Sequence, residues 1–453
     1  MTSFSPQRLL QALQTLPACQ RYLIAYSGGM DSHVLLHAVA AVRESLAAPV
    51  LAVHVNHGLS PHAGEWAAHC RRICHELAVP LSVMDIDAAP ARGQSPEAAA
   101  RDARYRAFAS FMQQHDCLLT AHHENDQAET LLLQLLRGSG PHGMAAMPDH
   151  GPFAAGSLAR PLLGQDRTVL LHYARQHHLR WIDDPSNFDT GFNRNFLRHD
   201  VLPVMETRWP SWAGTLSRSA QLCADAAVLL DDLAAQDLNR VAGNAAGTLA
   251  IAPLMKLGRA RQKNVLCYWI RSLSLPLPHH EHVRHILDDM LTAAPDGQPV
   301  VHWPGCDVRR YRDHLFAMAP LTPVDPQRVI NWDMRDSLQL PDNNGILSLR
   351  PCDEGGIDER FFADAEITVR YRRGGEVCRT GVDRHRRPLK KLLQELAVLP
   401  WLRDRLPLLY IDDELAAVGN YVVCAPFRSA PGHRGTRLHW LHAAVPNDTW
   451  QAE

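Results

Sequence analysis

Two short stretches carry residue types that can do chemistry together. The first is YSGGMDSH, in which Ser27, Gly28, Gly29, Met30, Asp31 and Ser32 form a small, glycine-rich turn. Glycine permits the backbone angles that turn successive N–H groups inward, and a helix opening directly afterwards adds the positive end of its dipole, so the turn suits a phosphate. Asp31 is the wrong charge for such a loop, and no lysine follows it. The same residues also fit an ordinary turn capped by Asp31 or Ser32. The second stretch is TAHHENDQAET, residues 120–130, with His122, His123, Asp126 and Glu129. Asp126 as a helix N-cap with Glu129 three residues later reads as a capping box, which explains the two acids but not the paired histidines before them.

The surrounding pattern brings these stretches to one place. RYLIAYS (21–27), PVLAVHVNH (49–57), PLSVMDID and DCLLTAHH read as short buried strands. Each is followed by a helical stretch: DSHVLLHAVAAVRESLA, GEWAAHCRRICHELAV, SPEAAARDARYRAFASFMQQH and DQAETLLLQLLRG. That alternation predicts an α/β fold with a doubly wound parallel sheet, whose ligands bind at the carboxyl ends of the strands. Both stretches follow strands at that edge. Beyond about residue 215 the sequence becomes helical and rich in Ala and Leu, then strand-like through HWPGCDVRRYRDHLFAMAP. PLTPVDPQ (320–327) reads as a linker, and a mostly β segment follows. GSGPHG (138–143) spells GxGxxG, but it ends a helix and contains Pro141. It therefore fails the dinucleotide context, and no Walker-type GxxxxGK[ST] occurs.

The chain has 453 residues, a formal net charge of −2 and ten cysteines with no CxxC pair. No apolar run approaches the roughly 18 residues of a membrane helix, and the amino terminus reads as a short amphipathic helix rather than a leader, so the cytoplasm is expected. Reduced, mostly buried thiols are expected throughout. Cys70 and Cys74, flanked by His69 and His75, lie on one helix face without a second ligand pair at a zinc-site distance. The segment 370–391 is strongly basic, which suits either a solvated face or a phosphate-facing surface. Arg101 and Arg104 lie one turn apart on their helix and suit either salt bridges with Glu97 or Asp102, or contact with phosphate or tRNA.

SGGMDS together with AHHENDQAET resembles the PP-loop ATP pyrophosphatases, which use ATP to adenylate a substrate oxygen and release pyrophosphate. The match narrows through VHVNHGLS, HHENDQAETLLLQLLRGSGPHGMAAM, RPLL (160–163), WIDDPSNFDTGFNRNFLRHDVLP (181–203), RPLKKLLQEL and PWLRDRLPLLY, where the chain is similar to the bacterial tRNA(Ile)-lysidine synthetases. Asn125 departs from the pattern, since many members have a second acid there. The resemblance implies ATP as co-substrate, free L-lysine, and an isoleucine tRNA with a CAU anticodon. AMP is attached to the ring carbonyl oxygen of the wobble cytidine, and the lysine ε-amine then displaces it to give lysidine. It also explains the acid in the loop: Asp31, with Asp126, would hold Mg²⁺ against the phosphates. Ser27, Gly28, Gly29, Met30 and Ser32 would cradle phosphate. His122 would orient groups or move a proton, Arg194 would contact substrate or phosphate, and residues around His54 to His57 would face adenine.

The expected organisation is an ATP-binding catalytic domain over 1–215, a mainly helical tRNA-binding region over 216–320, a linker with connecting strands over 321–365, and a small α+β carboxyl-terminal tRNA-binding domain over 366–445. The sequence is compatible with a homodimer and does not decide it. Two other functions fit parts of the pattern. A PP-loop tRNA thiolase would need sulfur-carrying cysteines near the loop, which the sequence does not offer. A non-catalytic nucleotide-dependent RNA-binding protein would need a decayed loop, and this one is intact.

Overall fold

The computed structural model describes residues 3–56, 58, 61–87, 96–294, 297–363, 365–379, 386–430 and 432–442, without the side chains of Pro96 and Glu97. Residues 1–229 and 230–453 form two compact units, taken separately below.

The first unit opens with α1 (Pro6–Gln14), capped by the Ser5 hydroxyl, and proceeds through β1 (Arg21–Ala25), α2 (Met30–Val42), β2 (Val50–Asn56), α3 (Ala63–Glu76), β3 (Leu81–Asp85), α4 (Pro96–Phe111), β4 (Asp116–Leu119) and α5 (Glu124–Leu136). The spatial order is β3-β2-β1-β4, all parallel. Helices cover both faces, so β1 is buried from Tyr22 to Ile24, after Arg21 at its start pairs with Asp116. Tyr22 and Ile24 of β1 pack with Leu9, Leu35 and Tyr173 on one side, and Leu23 packs with Phe108, Leu118 and Leu158 on the other. The order reverses between β1 and β4, so the segments leaving these two strands flank a topological switch point.

The alternation missed the next part of the sheet. After a short α6 (Pro141–Met144), residues His150–Phe153 and Gly156–Ala159 form a hairpin, β5 and β6, with β6 parallel to β4 and β5 antiparallel at the edge. Its sequence, HGPFAAGSLA, has no β-branched residue and is broken by Gly151, Pro152 and Gly156, so it does not read as strands. Gly156 is required there, because a Cβ would stand 2.1 Å from the Asp116 carbonyl oxygen. The hairpin leads into Arg160 and then α7 (Arg167–Gln176), capped by Asp166. A compact stretch follows: a 3-10 turn over Pro185–Phe188, α8 (Asn193–Phe196), a π-helical turn over Leu197–Val201, and α9 (Leu202–Arg208). Helix α10 runs unbroken from Trp212 to Val241, straight through the boundary expected at residue 215.

In the second unit, helices over Arg259–Ser272 and His280–His285 pack with a four-stranded antiparallel sheet (Thr248–Ala250, Val300–Trp303, Cys306–Tyr311 and His314–Met318) around Trp269, Leu266 and Val308. Farther along, Val329–Asn331 pairs with Ile367–Arg370, and Ile346–Cys352 pairs with Gly435–Leu441. The connecting strands are therefore part of the carboxyl-terminal β structure. One expectation about the thiols is corrected: Cys378 and Cys424, both buried, form a disulfide with their Cα atoms 5.8 Å apart. They are 46 residues apart in sequence, so only the fold reveals the pairing.

Candidate active site

The turn after β1 is braced from within. The Ser27 and Ser32 hydroxyls lie 3.0 Å apart, the Ser27 N–H donates to Ser32 Oγ, and Ser32 Oγ donates to the Gly29 carbonyl at 2.9 Å. Gly29 is the N-cap of α2 and supplies no side-chain cap, so neither Asp31 nor Ser32 caps the helix. The N–H groups of Met30, Asp31 and Ser32 have no carbonyl four residues back within α2, which leaves donors for an anion. Gly28 has φ +88°, and a Cβ there would meet Ile182 Cδ1 at 2.8 Å and Cys70 Sγ at 3.1 Å. The Ile182 N–H donates to the Gly28 carbonyl at 3.0 Å, so the segment after α7 straps the turn from outside.

A cysteine therefore does pack against the loop, contrary to the expectation that none lies near it. Burial pushes the Cys70 thiol up to about 12, as it does that of Cys74, and both sit in the apolar core as protonated thiols.

The stretch after β4 differs from its reading in sequence. The N-cap of α5 is His123, not Asp126. Its Nδ1 accepts from the Asp126 N–H at 3.4 Å, while Asp126 Oδ2 accepts from the His123 N–H at 3.1 Å. The box is shifted by three residues, which frees Glu129. That carboxylate, 2% exposed, accepts from Arg194 Nε at 2.7 Å and from Arg198 Nε at 2.6 Å, and Arg198 also reaches Asp126 Oδ1 at 2.7 Å. Arg194 thus lies at the site, on α8, and Arg198 is a member that the sequence reading did not single out. Its signal is the i,i+4 spacing from Arg194.

His123 joins the two stretches. Its buried Nε2 lies 3.6 Å from Asp31 Oδ2 and 3.4 Å from Asp126 Oδ2. Burial disfavours the charged ring, but Asp126 and Asp31 together outweigh it and raise its pKa above the ordinary value. For Asp126 the sign is opposite. Burial would raise it, and the charges of His123, Arg194 and Arg198 hold it well below the usual carboxylate range. Asp31 differs: its Oδ1 is buried without a hydrogen-bond partner. A hard oxygen donor with a free lone pair beside phosphate-ready N–H groups fits Mg²⁺. Asp126 has both oxygens engaged by protein donors, so Asp31 is the better prepared of the two.

His122 sits apart from this pair. Its Nδ1 is 2.9 Å from Thr120 Oγ1, and burial, helped by Arg160, Arg194 and Arg101, lowers its pKa to about 3. It is a neutral hydrogen-bonding ring at physiological pH, not the base near 6.5 that its residue type suggested. The arginines around it form a positive region. Arg101 stacks over Tyr105 at 4.9 Å, Arg104 is pushed down by burial and by Arg101 and Arg194, and Arg160 donates to the Pro148 carbonyl at 2.6 Å with its Nε buried and unpartnered.

One further expectation concerned the residues from His54 to His57. His54 is turned into the sheet, with Nδ1 2.9 Å from the Tyr26 carbonyl, and Asn56 is held by Asp85 at 2.8 Å; His57 lies outside the described residues. Asn125 accepts from the Arg167 N–H at 3.1 Å. That bond uses the amide oxygen as acceptor.

Residues 1–205 match a PP-loop domain, 249–316 the TilS substrate binding domain, and 367–440 the TilS substrate C-terminal domain. The tRNA(Ile)-lysidine synthase of Coxiella burnetii is 41% identical over 94% of this chain and 94% of its own length. That of Alkalilimnicola ehrlichii is 41% identical over 95% and 96%, and that of Methylococcus capsulatus 41% over 92% and 96%. With three matching domain models and 41% identity to these relatives over more than nine-tenths of the chain, the chain belongs to the tRNA(Ile)-lysidine synthase family.

Proposed function

We propose that this chain uses ATP to adenylate the ring carbonyl oxygen of the wobble cytidine in an isoleucine tRNA with a CAU anticodon, and then joins free L-lysine to that ring carbon through its ε-amine. The first bond formed is between that oxygen and the α-phosphorus, and pyrophosphate leaves. The second is between the lysine nitrogen and the ring carbon, and AMP leaves with the oxygen. The observation that carries this reading is the meeting, at one switch point, of an N–H-lined glycine turn with a carboxylate oxygen that lacks a partner.

The roles follow from the surroundings. The backbone N–H groups of Met30, Asp31 and Ser32 bind phosphate, while the Ser27 and Ser32 hydroxyls hold the turn in shape, Ser27 by accepting from the Gly29 N–H. Asp31, with Asp126 behind it, would hold Mg²⁺, which when bound offsets the negative charge of the triphosphate. Arg101, Arg104 and Arg160 supply positive charge around neutral His122, which orients a substrate group by hydrogen bonding. Glu129 and Asp126 fix Arg194 and Arg198 at the mouth. His123, which caps α5 through Nδ1 and faces both carboxylates through Nε2, holds Asp31 and Asp126 in position, and the proton lost by the attacking amine goes to the departing AMP or to water. We assign the helical region 216–320 and the carboxyl-terminal domain 366–445 to tRNA contact, and place the protein in the cytoplasm, where its substrates are.

The test is pyrophosphate release from ATP with unmodified tRNA and no lysine. Release that requires the tRNA, with AMP recovered on it, is the expected result. Release that requires lysine but not tRNA would mean that the amino acid is activated instead.

A further inference from the structure

Asn193–Phe196 and the π turn after it present two adjacent rows of residues, each spaced i,i+4. Arg194 and Arg198 point to Glu129 and Asp126. Asn195 and His199, one residue farther on, hold the turn Pro185–Phe188. The Asn195 amide, 8% exposed, donates to the Ser186 and Asp189 carbonyls at 2.8 and 3.0 Å, and His199 Nε2 donates to the Asn187 carbonyl at 2.9 Å. The Asp184 carboxylate fixes the other end of the turn through the Ser186 N–H at 2.8 Å.

This scaffolding holds an aromatic ring in the open. Phe188 is 68% exposed, and its ring stacks on His199 with centroids 5.5 Å apart and planes 29° from parallel. Apolar burial does not account for a phenylalanine placed this way. A flat π face backed by an imidazole, carried by the residue that follows Arg198 of the acid cluster, matches what an unstacked nucleobase requires, a ring to stack on. Resting on the function proposed above, the target cytidine must reach the acid cluster, so its neighbour in the loop arrives beside that cluster.

We propose that Phe188, backed by His199, is a stacking platform for the anticodon base adjacent to the cytidine being modified. It is a binding and positioning element and takes no part in the bond changes.

The test replaces the adenine that follows the wobble cytidine with 2-aminopurine, and compares wild type with Phe188→Leu, which keeps apolar volume without a ring, and Phe188→Trp, which restores one. Binding to wild type and Phe188→Trp should quench the fluorescence, and binding to Phe188→Leu should not. The leucine variant should lose about tenfold in kcat/KM for tRNA with the KM for ATP unchanged. Equal quenching by the leucine variant, tRNA kinetics within about twofold of wild type, or a loss confined to the KM for ATP would each overturn the platform. A wild-type protein that neither binds nor modifies this tRNA would instead overturn the function on which the platform rests.

Discussion

Asp31 and Glu129 carry the same functional group in opposite conditions. Asp31 keeps a buried oxygen without a partner, while Glu129 is saturated by two guanidiniums. Removing them should therefore fail in different ways. Asp31→Asn should lower kcat by about a hundredfold or more, by loss of charge at the cation position, and leave the unfolding midpoint near wild type. Glu129→Gln should destabilise the first unit by roughly 3 kcal/mol, because Arg194 and Arg198 lose the charge that compensates them. Denaturant unfolding beside steady-state kinetics separates the two, and a destabilised Asp31→Asn with normal kcat would show that the free oxygen has only a structural part. The residue types here were legible in sequence, but their assignments were not. His122 and His123 are indistinguishable as letters, and the backbone decides which ring is wedged between carboxylates and which is driven neutral by arginines from distant elements.

The phosphate turn is shaped jointly by its own serines and by the strap at Ile182. Gly28→Ala should weaken ATP binding by about 1–2 kcal/mol, since a side chain there is strained at φ +88° and also meets Ile182 and Cys70. Adding Ile182→Ala should recover part of that loss, because it removes the closer contact but neither the Cys70 contact nor the strain. Isothermal titration with ATP reads both, and full recovery in the double variant would show that the backbone angle does not matter. The four parallel strands and their helices were readable because apolar runs bounded by turns have a strong period. The β5–β6 hairpin was not, because neighbours rather than composition hold it in place. The strap was invisible for a similar reason: Ile182 lies more than 150 residues from the glycine that it covers, and nothing in WIDDPSN marks it as part of a loop around residue 28.

Across the molecule, burial lowers His33 and His442 to about 4 and His122 to about 3. Unfolded histidines take up a proton near pH 6.5, and these folded ones do so only well below it. Stability is therefore level above about pH 6.5 and falls as the pH drops toward 4. His123 opposes this, because its pKa is raised and its contribution is lost as pH rises through that value. Unfolding midpoints at pH 7.5 and 5.0 should show the acid loss, and His442→Gln should reduce it; an unchanged slope would contradict the burial argument. The basic carboxyl-terminal segment is less free than its composition suggested. Arg372 pairs with Asp404, Arg387 with Glu395, and Arg370 with Asp413, and Arg373 donates to the Pro326 and Gln327 carbonyls, which leaves Arg379, Arg386, Lys390 and Lys391 exposed outside these contacts among the described residues. Replacing Lys390 and Lys391 by alanine should reduce the log–log salt slope of tRNA affinity by about 1.5; an unchanged slope would remove this segment from the interface. The most direct test of the whole account is incorporation of radiolabelled lysine into unmodified isoleucine tRNA with a CAU anticodon, with ATP and Mg²⁺, by wild type and by Asp31→Ala. Label entering that tRNA with wild type only, and not a methionine tRNA with the same anticodon, is the predicted result. Label in neither tRNA, or equal label with Asp31→Ala, would contradict it.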